Sequence, residues 1–231
     1  MGAPPDIHNP LGQAWSLTAL SPRALRDSGY AAFLAMLRAS LAQAGGVRID
    51  HILGLARLWL VPDGAGAAHG AYLRYPLRAL LRLTALEAWR RQALVIGENL
   101  GTVPDGFDDA LRDHGLLGMN VLWFMRGPPS PRAPAAFQAP AAWPASAAAM
   151  TTTHDLPTLR GWWQGHDLAW RARLGLTGPQ ESPADLQAQR HADREHLWQA
   201  VCDHAHLPAS AAPPQAPDAA PVSYTHLTLP T

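Results

Sequence analysis

Short, largely apolar segments alternate with amphipathic helical segments along this chain, and no other sequence feature constrains the fold as strongly. The spacing of apolar residues predicts strands at 47–53, 93–97, 119–125 and 147–153. It predicts helices at 24–44, 77–90 and 107–114, and an uneven helical region from 156 to about 207. Nearly continuous apolar strands separated by helices are typical of a parallel sheet covered by helices. The sequence therefore predicts an α/β fold.

The spacing of acidic residues after these strands indicates what kind of parallel sheet this is. Glu98 follows Asp50 by 48 positions and Asp155 follows Glu98 by 57 positions. A (β/α)8 barrel uses about 250 residues, or roughly 30 for each strand and helix. These intervals therefore predict four consecutive strands of a larger TIM (β/α)8 barrel, truncated at both ends.

The composition changes abruptly near the carboxyl end. We assign residues 1–207 to a partial catalytic barrel and residues 208–221 to an Ala/Pro-rich linker that cannot form a core. Residues 222–231 resemble translated read-through of a sequencing adapter and are interpreted as an artefact tail. A genuine disordered tail is the alternative.

Charge and cysteine content exclude several classes of function. Lysine and arginine together number 18, as do the acids, and the pI is near 7.2, so the chain has no basic field for nucleic acid. The single cysteine, Cys202, excludes an internal disulfide, and the cytoplasm is the expected location. No apolar run of about 18 residues predicts a membrane span. The histidines, including His51, are interpreted as solvent-exposed, and we expect no metal or cofactor.

Acidic residues close three of the predicted strands, where the active sites of parallel barrels lie. Arg48 and Asp50 are two positions apart and share a strand face, so the guanidinium can keep the carboxylate ionised. Glu98 has small, neutral neighbours, and partial desolvation there would raise its pKa toward that of a general acid. His154 and Asp155 are predicted at the end of the fourth strand. Taken singly, each acid could instead cap a helix or form a surface salt bridge.

Several motifs carry a resemblance to a known family. They are Gly2-Ala-Pro-Pro-Asp6, Gly12-Gln-Ala-Trp15, Arg48-Ile-Asp-His51, Leu58-Trp-Leu-Val-Pro62, Ile96-Gly-Glu-Asn-Leu-Gly-Thr-Val-Pro104 and Thr153-His-Asp-Leu-Pro-Thr-Leu-Arg-Gly161. In order and spacing they resemble the amylomaltases, the 4-α-glucanotransferases of glycoside hydrolase family 77 in the α-amylase clan. The resemblance runs from about residue 2 to residue 200.

This resemblance implies a retaining mechanism on α-1,4-glucans, with glucans or glucose as acceptor. Asp50 matches the nucleophile, Glu98 the acid/base, and Asp155 the acid that stabilises the oxocarbenium-like transition state. Arg48 and His154 match residues that orient Asp50 and bind the same sugar.

Two further positions have open interpretations. Gln13 and Trp15 lie in a loop that resembles the active-site lid of the family, although packing against the barrel explains a loop tryptophan equally well. Asn99 stands where the family usually has Asp, which puts sugar binding at a neighbouring subsite in doubt. The resemblance gives no oligomeric state.

Other functions remain open at this stage. An α-glucan hydrolase would use the same carboxylates, and a non-catalytic piece could bind glucan without turnover. The pair His154 and Asp155 also occurs in metal-dependent phosphohydrolases, which need further ligands. If the barrel is incomplete, we expect the 231-residue chain alone to be inactive, because exposed sheet edges favour aggregation.

Overall fold

The computed structural model describes residues 1–6, 9–128, 135–176 and 182–205. The linker predicted at 208–221 and the tail predicted at 222–231 lie outside the described residues. The described helices are α1 (Pro22–Asp27), α2 (Ala31–Ser40), α3 (Leu77–Arg91), α4 (Phe107–Asp113), α5 (Leu159–Gln164), α6 (His166–Arg173) and α7 (Pro183–Ala205). The described strands are β1 (Gly2–Ala3), β2 (Gln13–Ala14), β3 (Gly46–Ile49), β4 (Arg57–Leu60), β5 (Ala71–Arg74), β6 (Leu94–Gly97), β7 (Gly118–Val121) and β8 (Ala147–Met150).

The chain forms two compact units. The first comprises residues 1–119 and 146–148, and the second comprises residues 120–145 and 149–231 so far as these are described. Two of the boundaries in the sequence fall within strands, one within β7 and one within β8.

The predicted parallel pairing is confirmed in the first unit. Strand β3 lies parallel to β6, with Arg48 opposite Ile96 and Ile49 opposite Gly97. On its other side β6 makes a parallel bridge from Ile96 to Leu117, directly before β7. Helix α3 connects β3 to β6 after an inserted segment, and α4 leads from β6 to β7. The strand–helix–strand order therefore repeats twice, as the apolar pattern indicated.

A four-stranded antiparallel sheet was not predicted from the sequence. Its order is β2-β1-β4-β5, and all four of these strands lie outside the strands and helices that the sequence predicted. Strands β1 and β2 contain two residues each, and the whole of β5 is exposed. Segments this short and this exposed carry no apolar alternation, so hydrophobic periodicity could not reveal them.

Several predicted elements end earlier than the sequence indicated. The helix predicted at 24–44 is divided into α1 and α2 by Gly29 and Tyr30, both of which have positive φ angles. The strands predicted at 47–53, 119–125 and 147–153 end at Ile49, Val121 and Met150. After Ile49 and Val121 the chain turns into short 3-10 helices that continue the apolar run. The apolar residues thus extend beyond the strands, so the apolar pattern predicted strands that are too long.

The core of the first unit lies between the parallel strands and their helices. Its largest fully buried side chains are Phe107, Ile52, Leu80, Leu81 and Leu111. Ile52 belongs to the turn after β3 and is buried in this core. It therefore anchors the turn that also carries Asp50. This packing is what positions the first candidate catalytic residue.

Glu87, a buried acid on α3, joins α3 to α2. Its carboxylate accepts hydrogen bonds from Arg38 at 2.7 Å and from Arg90 at 3.1 Å, and its side chain is only 4% exposed. The hydrogen bond from Arg38 is the main cause that lowers the pKa of Glu87 below its ordinary value of 4.5. The ionised form therefore stabilises the fold at neutral pH.

We expect acidification to remove this stabilisation. A carboxylate with a lowered pKa contributes fully above its unfolded value of 4.5, and the contribution is lost as the pH falls through the lower folded value. Urea unfolding from pH 7 to pH 3 should show Glu87→Gln to be less stable than wild type at pH 7, with the difference shrinking on acidification. Glu195→Gln, at an exposed ion pair with His191, is the matched control. A pH-independent difference would contradict the assignment.

Candidate active site

Asp50 directly follows the last residue of β3, because the strand predicted at 47–53 ends at Ile49. Arg48, two positions earlier, forms an ion pair with it, with Nη1 2.6 Å from Asp50 Oδ1. The side chain of Asp50 is 73% exposed, so it is accessible from solvent. The carboxylate thus lies at a strand end, beside a cation and open to solvent, where a nucleophile could reach a bound sugar.

The turn after Asp50 is unusual in its backbone. His51 adopts the left-handed conformation, with φ 44° and ψ 56°, and residues Ile52–Leu55 then form a 3-10 helix. The N–H of Ile52 donates to the backbone carbonyl of Glu98 at 3.1 Å. The turn is thus tied to the end of the neighbouring strand as well as to the core.

Glu98 follows the last residue of β6 and faces this turn. Its Oε2 accepts a hydrogen bond from the backbone N–H of His51 at 2.7 Å, while its own N–H donates to Ile49 O at 2.9 Å. Burial raises the pKa of the Glu98 carboxyl above 4.5, and the negative charge of Asp50 raises it further. The hydrogen bond from His51 and the charge of Arg48 act in the opposite direction. The raised pKa predicted from the neighbours of Glu98 is confirmed, and burial is its main cause.

Gly97, the last residue of β6, has no room for a side chain. A Cβ atom built there would lie 2.4 Å from Ile52 Cδ1 and 2.8 Å from Ile52 Cγ2. Ile52 is completely buried and cannot move aside without disturbing the core. The Gly-Glu pair therefore allows the strand end to approach the turn closely enough for its hydrogen bonds.

Asn99 makes structural contacts. Its Oδ1 accepts a hydrogen bond from the N–H of Met119 in β7 at 2.8 Å, and its Nδ2 donates to Asp108 Oδ1 in α4 at 2.8 Å. An amide is suited to this position because it donates and accepts at once, whereas a carboxylate only accepts. The predicted contact of Asn99 with sugar stays a prediction, and its side chain has a second, observed role.

Gln13 and Trp15 are linked to the same turn. The indole N–H of Trp15 donates to Gln13 Oε1 at 2.7 Å, and its ring meets that of His51 edge-on with centroids 5.1 Å apart. Gln13 is exposed and Trp15 is half-buried. Packing against His51 thus accounts for part of the tryptophan surface, and a role in a lid remains a prediction.

His154 and Asp155 belong to the second unit, and their predicted place at a strand end was wrong. Strand β8 ends at Met150, and the pair lies in an irregular turn before α5. His154 Nε2 lies 3.2 Å from Asp155 Oδ2, and both side chains are at least 70% exposed. The N–H of Asp155 donates to Thr153 Oγ1 at 3.3 Å. Thr153, which was predicted as the last residue of the strand, instead stabilises this turn.

His51 is the residue that the sequence interpretation missed. It was taken as solvent-exposed, but its ring is half-buried, and burial lowers the pKa of its imidazole below 6.5. Its left-handed backbone and its hydrogen bond to Glu98 arise from the tertiary structure. Nothing in the Arg-Ile-Asp-His pattern itself predicts them.

In the part of the chain that the structure describes, no group of three or more His, Cys, Asp or Glu side chains is arranged to hold a metal ion. None of the helices in that part of the chain is long and apolar enough to cross a membrane.

Comparison with known proteins relates this site to a family. The family model for 4-alpha-glucanotransferase, glycoside hydrolase family 77, matches residues 1–224. A 4-alpha-glucanotransferase of Mycobacterium tuberculosis is 42% identical over 98% of this chain, which spans 31% of that relative. A 4-alpha-glucanotransferase of Haemophilus influenzae is 37% identical over 90% of the chain, which spans 29% of it. The chain thus covers about a third of the length of the curated relatives it matches.

Solved structures show the same relationship. The crystal structure of amylomaltase from Corynebacterium glutamicum matches with a TM-score of 0.81 and 37% identity, over 90% of this chain and 29% of that one. An amylomaltase from Streptococcus agalactiae, solved in complex with acarbose, matches with a TM-score of 0.60 and 20% identity over 78% of this chain and 36% of its own. The likeness supports the α/β, partial-barrel architecture expected from the sequence. The chain belongs to the 4-alpha-glucanotransferase family, glycoside hydrolase family 77.

Proposed function

We propose that this chain carries the catalytic carboxylates of an enzyme that transfers a segment of an α-1,4-glucan to the 4-hydroxyl of another glucan or of glucose. The observation that carries the proposal is the pairing of two unlike carboxyls at neighbouring strand ends. Asp50 is paired with Arg48 and exposed, whereas Glu98 is half-buried and has a raised pKa. An exposed carboxylate beside a guanidinium suits a nucleophile, and a half-buried carboxyl with a raised pKa suits a general acid.

In the first step, Asp50 attacks the anomeric carbon and forms a covalent glycosyl ester. Glu98 donates its proton to the glycosidic oxygen as the bond to the leaving glucan breaks. In the second step, Glu98, now a carboxylate, removes the proton from the acceptor 4-hydroxyl, which attacks the ester and releases Asp50. The product retains the α configuration because inversion occurs twice.

The remaining predicted residues have supporting roles in this proposal. Arg48 orients Asp50, while Asp155 and His154 bind hydroxyls of the reacting sugar and Asp155 stabilises the positive charge of the transition state. Gln13 and Trp15 contribute an aromatic and polar surface for the acceptor, and Asn99 acts at a neighbouring subsite. We place the reaction in the cytoplasm, with no cofactor.

Hydrolysis of α-glucans is the second candidate. The 73% exposure of the Asp50 side chain favours it, because water can reach the glycosyl ester as easily as a sugar hydroxyl can. The two functions share every catalytic residue and differ only in the acceptor. Product analysis separates them.

The experiment uses a protein of the relatives' full length. In this chimera, residues 1–205 of the chain replace the matching segment of the Mycobacterium tuberculosis relative. Thin-layer chromatography of maltotriose digests should show a ladder of longer products and glucose. Products no longer than maltotriose would indicate hydrolysis, and no product at all from a folded chimera would contradict the proposed function. The 231-residue chain alone should form no ladder.

A further inference from the structure

The tetrapeptide Ile49–Asp50–His51–Ile52 surrounds Glu98 with hydrogen bonds. Ile49 O accepts from the N–H of Glu98 at 2.9 Å, and the N–H of Ile52 donates to the carbonyl of Glu98 at 3.1 Å. Between them, the N–H of His51 donates to the side-chain Oε2 at 2.7 Å. One turn of chain thus fixes both the backbone and the carboxyl of Glu98, and the same turn presents Asp50.

The hydrogen bond to the carboxyl depends on an uncommon backbone conformation. His51 is one of four non-glycine residues with positive φ in the described part of the chain. The left-handed conformation of His51 turns the chain from the end of β3 into the 3-10 helix Ile52–Leu55, and within this turn the His51 N–H donates to the Glu98 side chain. Extended backbone at His51 would send the following residues onward from β3 and so remove the turn that holds this N–H beside Glu98.

We propose that His51 is a positioning residue for Glu98, acting through its left-handed backbone rather than through its imidazole. The turn couples the two catalytic carboxyls because the Asp50–His51 peptide supplies the N–H that holds Glu98. This inference rests on the roles of Asp50 and Glu98 in the proposed function. It adds a residue that determines the position of the Glu98 carboxyl and the pH range in which this carboxyl is protonated.

The hydrogen bond from His51 changes the pKa of Glu98 in a definite direction. The groups that act on the carboxyl of Glu98 are Asp50, whose charge raises its pKa, and Arg48 together with the N–H groups of His51 and Leu100, which lower it. Among these the His51 hydrogen bond is the largest, and the Leu100 contribution is the smallest. Loss of the His51 hydrogen bond therefore raises the pKa of Glu98, because a hydrogen bond to the ionised form favours ionisation.

A matched pair of substitutions separates the effect of the His51 backbone conformation from the effect of its imidazole ring. His51→Asn and His51→Val both remove the imidazole and its contact with Trp15, but Asn tolerates the left-handed conformation and Val strongly disfavours it. We expect the pKa of Glu98 to be about one unit higher in H51V than in H51N. His51→Gly, which also accepts positive φ, should group with H51N.

The measurement is a ¹³C NMR titration of the glutamate carboxyl carbons in the 231-residue chain. The chain has four glutamates, and Glu98→Gln identifies the signal of interest. Equal pKa values in folded H51V and H51N would overturn the proposal. Should H51V fail to fold, the wild-type chain decides, because the amide proton of His51 must then shift with the titration of Glu98 and lose that shift in E98Q. If the chemical shift of the His51 amide proton does not follow the titration of Glu98, the proposal is overturned as well.

These readouts separate this inference from the proposed function. A chimera with no transferase activity but an intact coupling between His51 and Glu98 would contradict only the proposed function. An active chimera whose alkaline limb of kcat/KM is the same in H51V and H51N would contradict only the role of His51. If both hold, that limb moves to higher pH in H51V, because Glu98 must be protonated in the first step.

Discussion

Replacing Asp50 with Asn is expected to lower the rate of glucan transfer by the chimera about 10⁴-fold or more. The amide keeps the size of the side chain but cannot form the glycosyl ester, so the double displacement loses its first step. The rate of maltotriose disproportionation under saturating substrate measures the effect. The Arg48 guanidinium also loses its partner at 2.6 Å, so thermal unfolding should be recorded to show that the variant is folded.

Asp27→Asn is the matched control for this substitution. Asp27 is an exposed acid that pairs with Arg23 at 3.7 Å on helix α1, and its loss should leave the transfer rate unchanged within about twofold. If folded Asp50→Asn kept more than about one hundredth of the wild-type rate, Asp50 could not be the nucleophile.

Glu98→Gln tests the other half of the mechanism on the same protein. The variant should be slow on maltotriose but should still react with α-maltosyl fluoride, because fluoride leaves without being protonated. Glu98 is then also missing as the base for the second step, so the glycosyl ester should accumulate. Mass spectrometry of the peptide that contains Asp50 detects it. Label on any other residue would reassign the nucleophile.

Asp167→Ala should destabilise the second unit by about 3 kcal/mol, the largest stability effect that we expect from a single polar substitution in this chain. Asp167 holds Arg190 with two hydrogen bonds, at 2.7 and 2.5 Å. The side chain of Arg190 is only 8% exposed, and it also packs over the Trp162 ring and donates to the Trp162 carbonyl. Without Asp167 this guanidinium stays buried with its charge uncompensated.

Urea unfolding of the 231-residue chain, followed by tryptophan fluorescence, measures this effect. Glu195→Ala removes an acid from the exposed face of the same region and should cost less than about 0.5 kcal/mol. The double variant Asp167→Leu with Arg190→Met should recover most of the loss, because an apolar pair leaves no buried charge. A double variant as unstable as Asp167→Ala would show that packing, rather than the charge, is responsible.

The parallel strands and the helices between them could be predicted from the sequence. Apolar runs of five to seven residues separated by helical periodicity admit few architectures, and β3, β6 and β7 lie where these runs were found. The position of Glu98 directly after its strand followed from the same pattern, whereas the strand before Asp50 ends four residues earlier than predicted. The pairing of Arg48 with Asp50 followed from their separation by two residues.

The antiparallel sheet and the true end of β8 could not be predicted. Strands of two residues have too few positions to show a period, and they form only because β4 and β1 lie side by side. The residues after β8 are largely polar and threonine-rich, and threonine is common in strands as well as in turns. His154 and Asp155 were therefore placed at a strand end, although they lie in a turn.

The sequence by itself determined the strand–helix alternation and the identity of the candidate carboxyls, because both are written in local order and spacing. The tertiary structure alone decided how Glu98 is held. Its burial depends on side chains distant in sequence, and its hydrogen bond to His51 joins residues 47 positions apart. Hydrogen bonds and burial arise from atoms that folding brings together. The pKa and the orientation of a catalytic carboxyl are therefore properties of the fold.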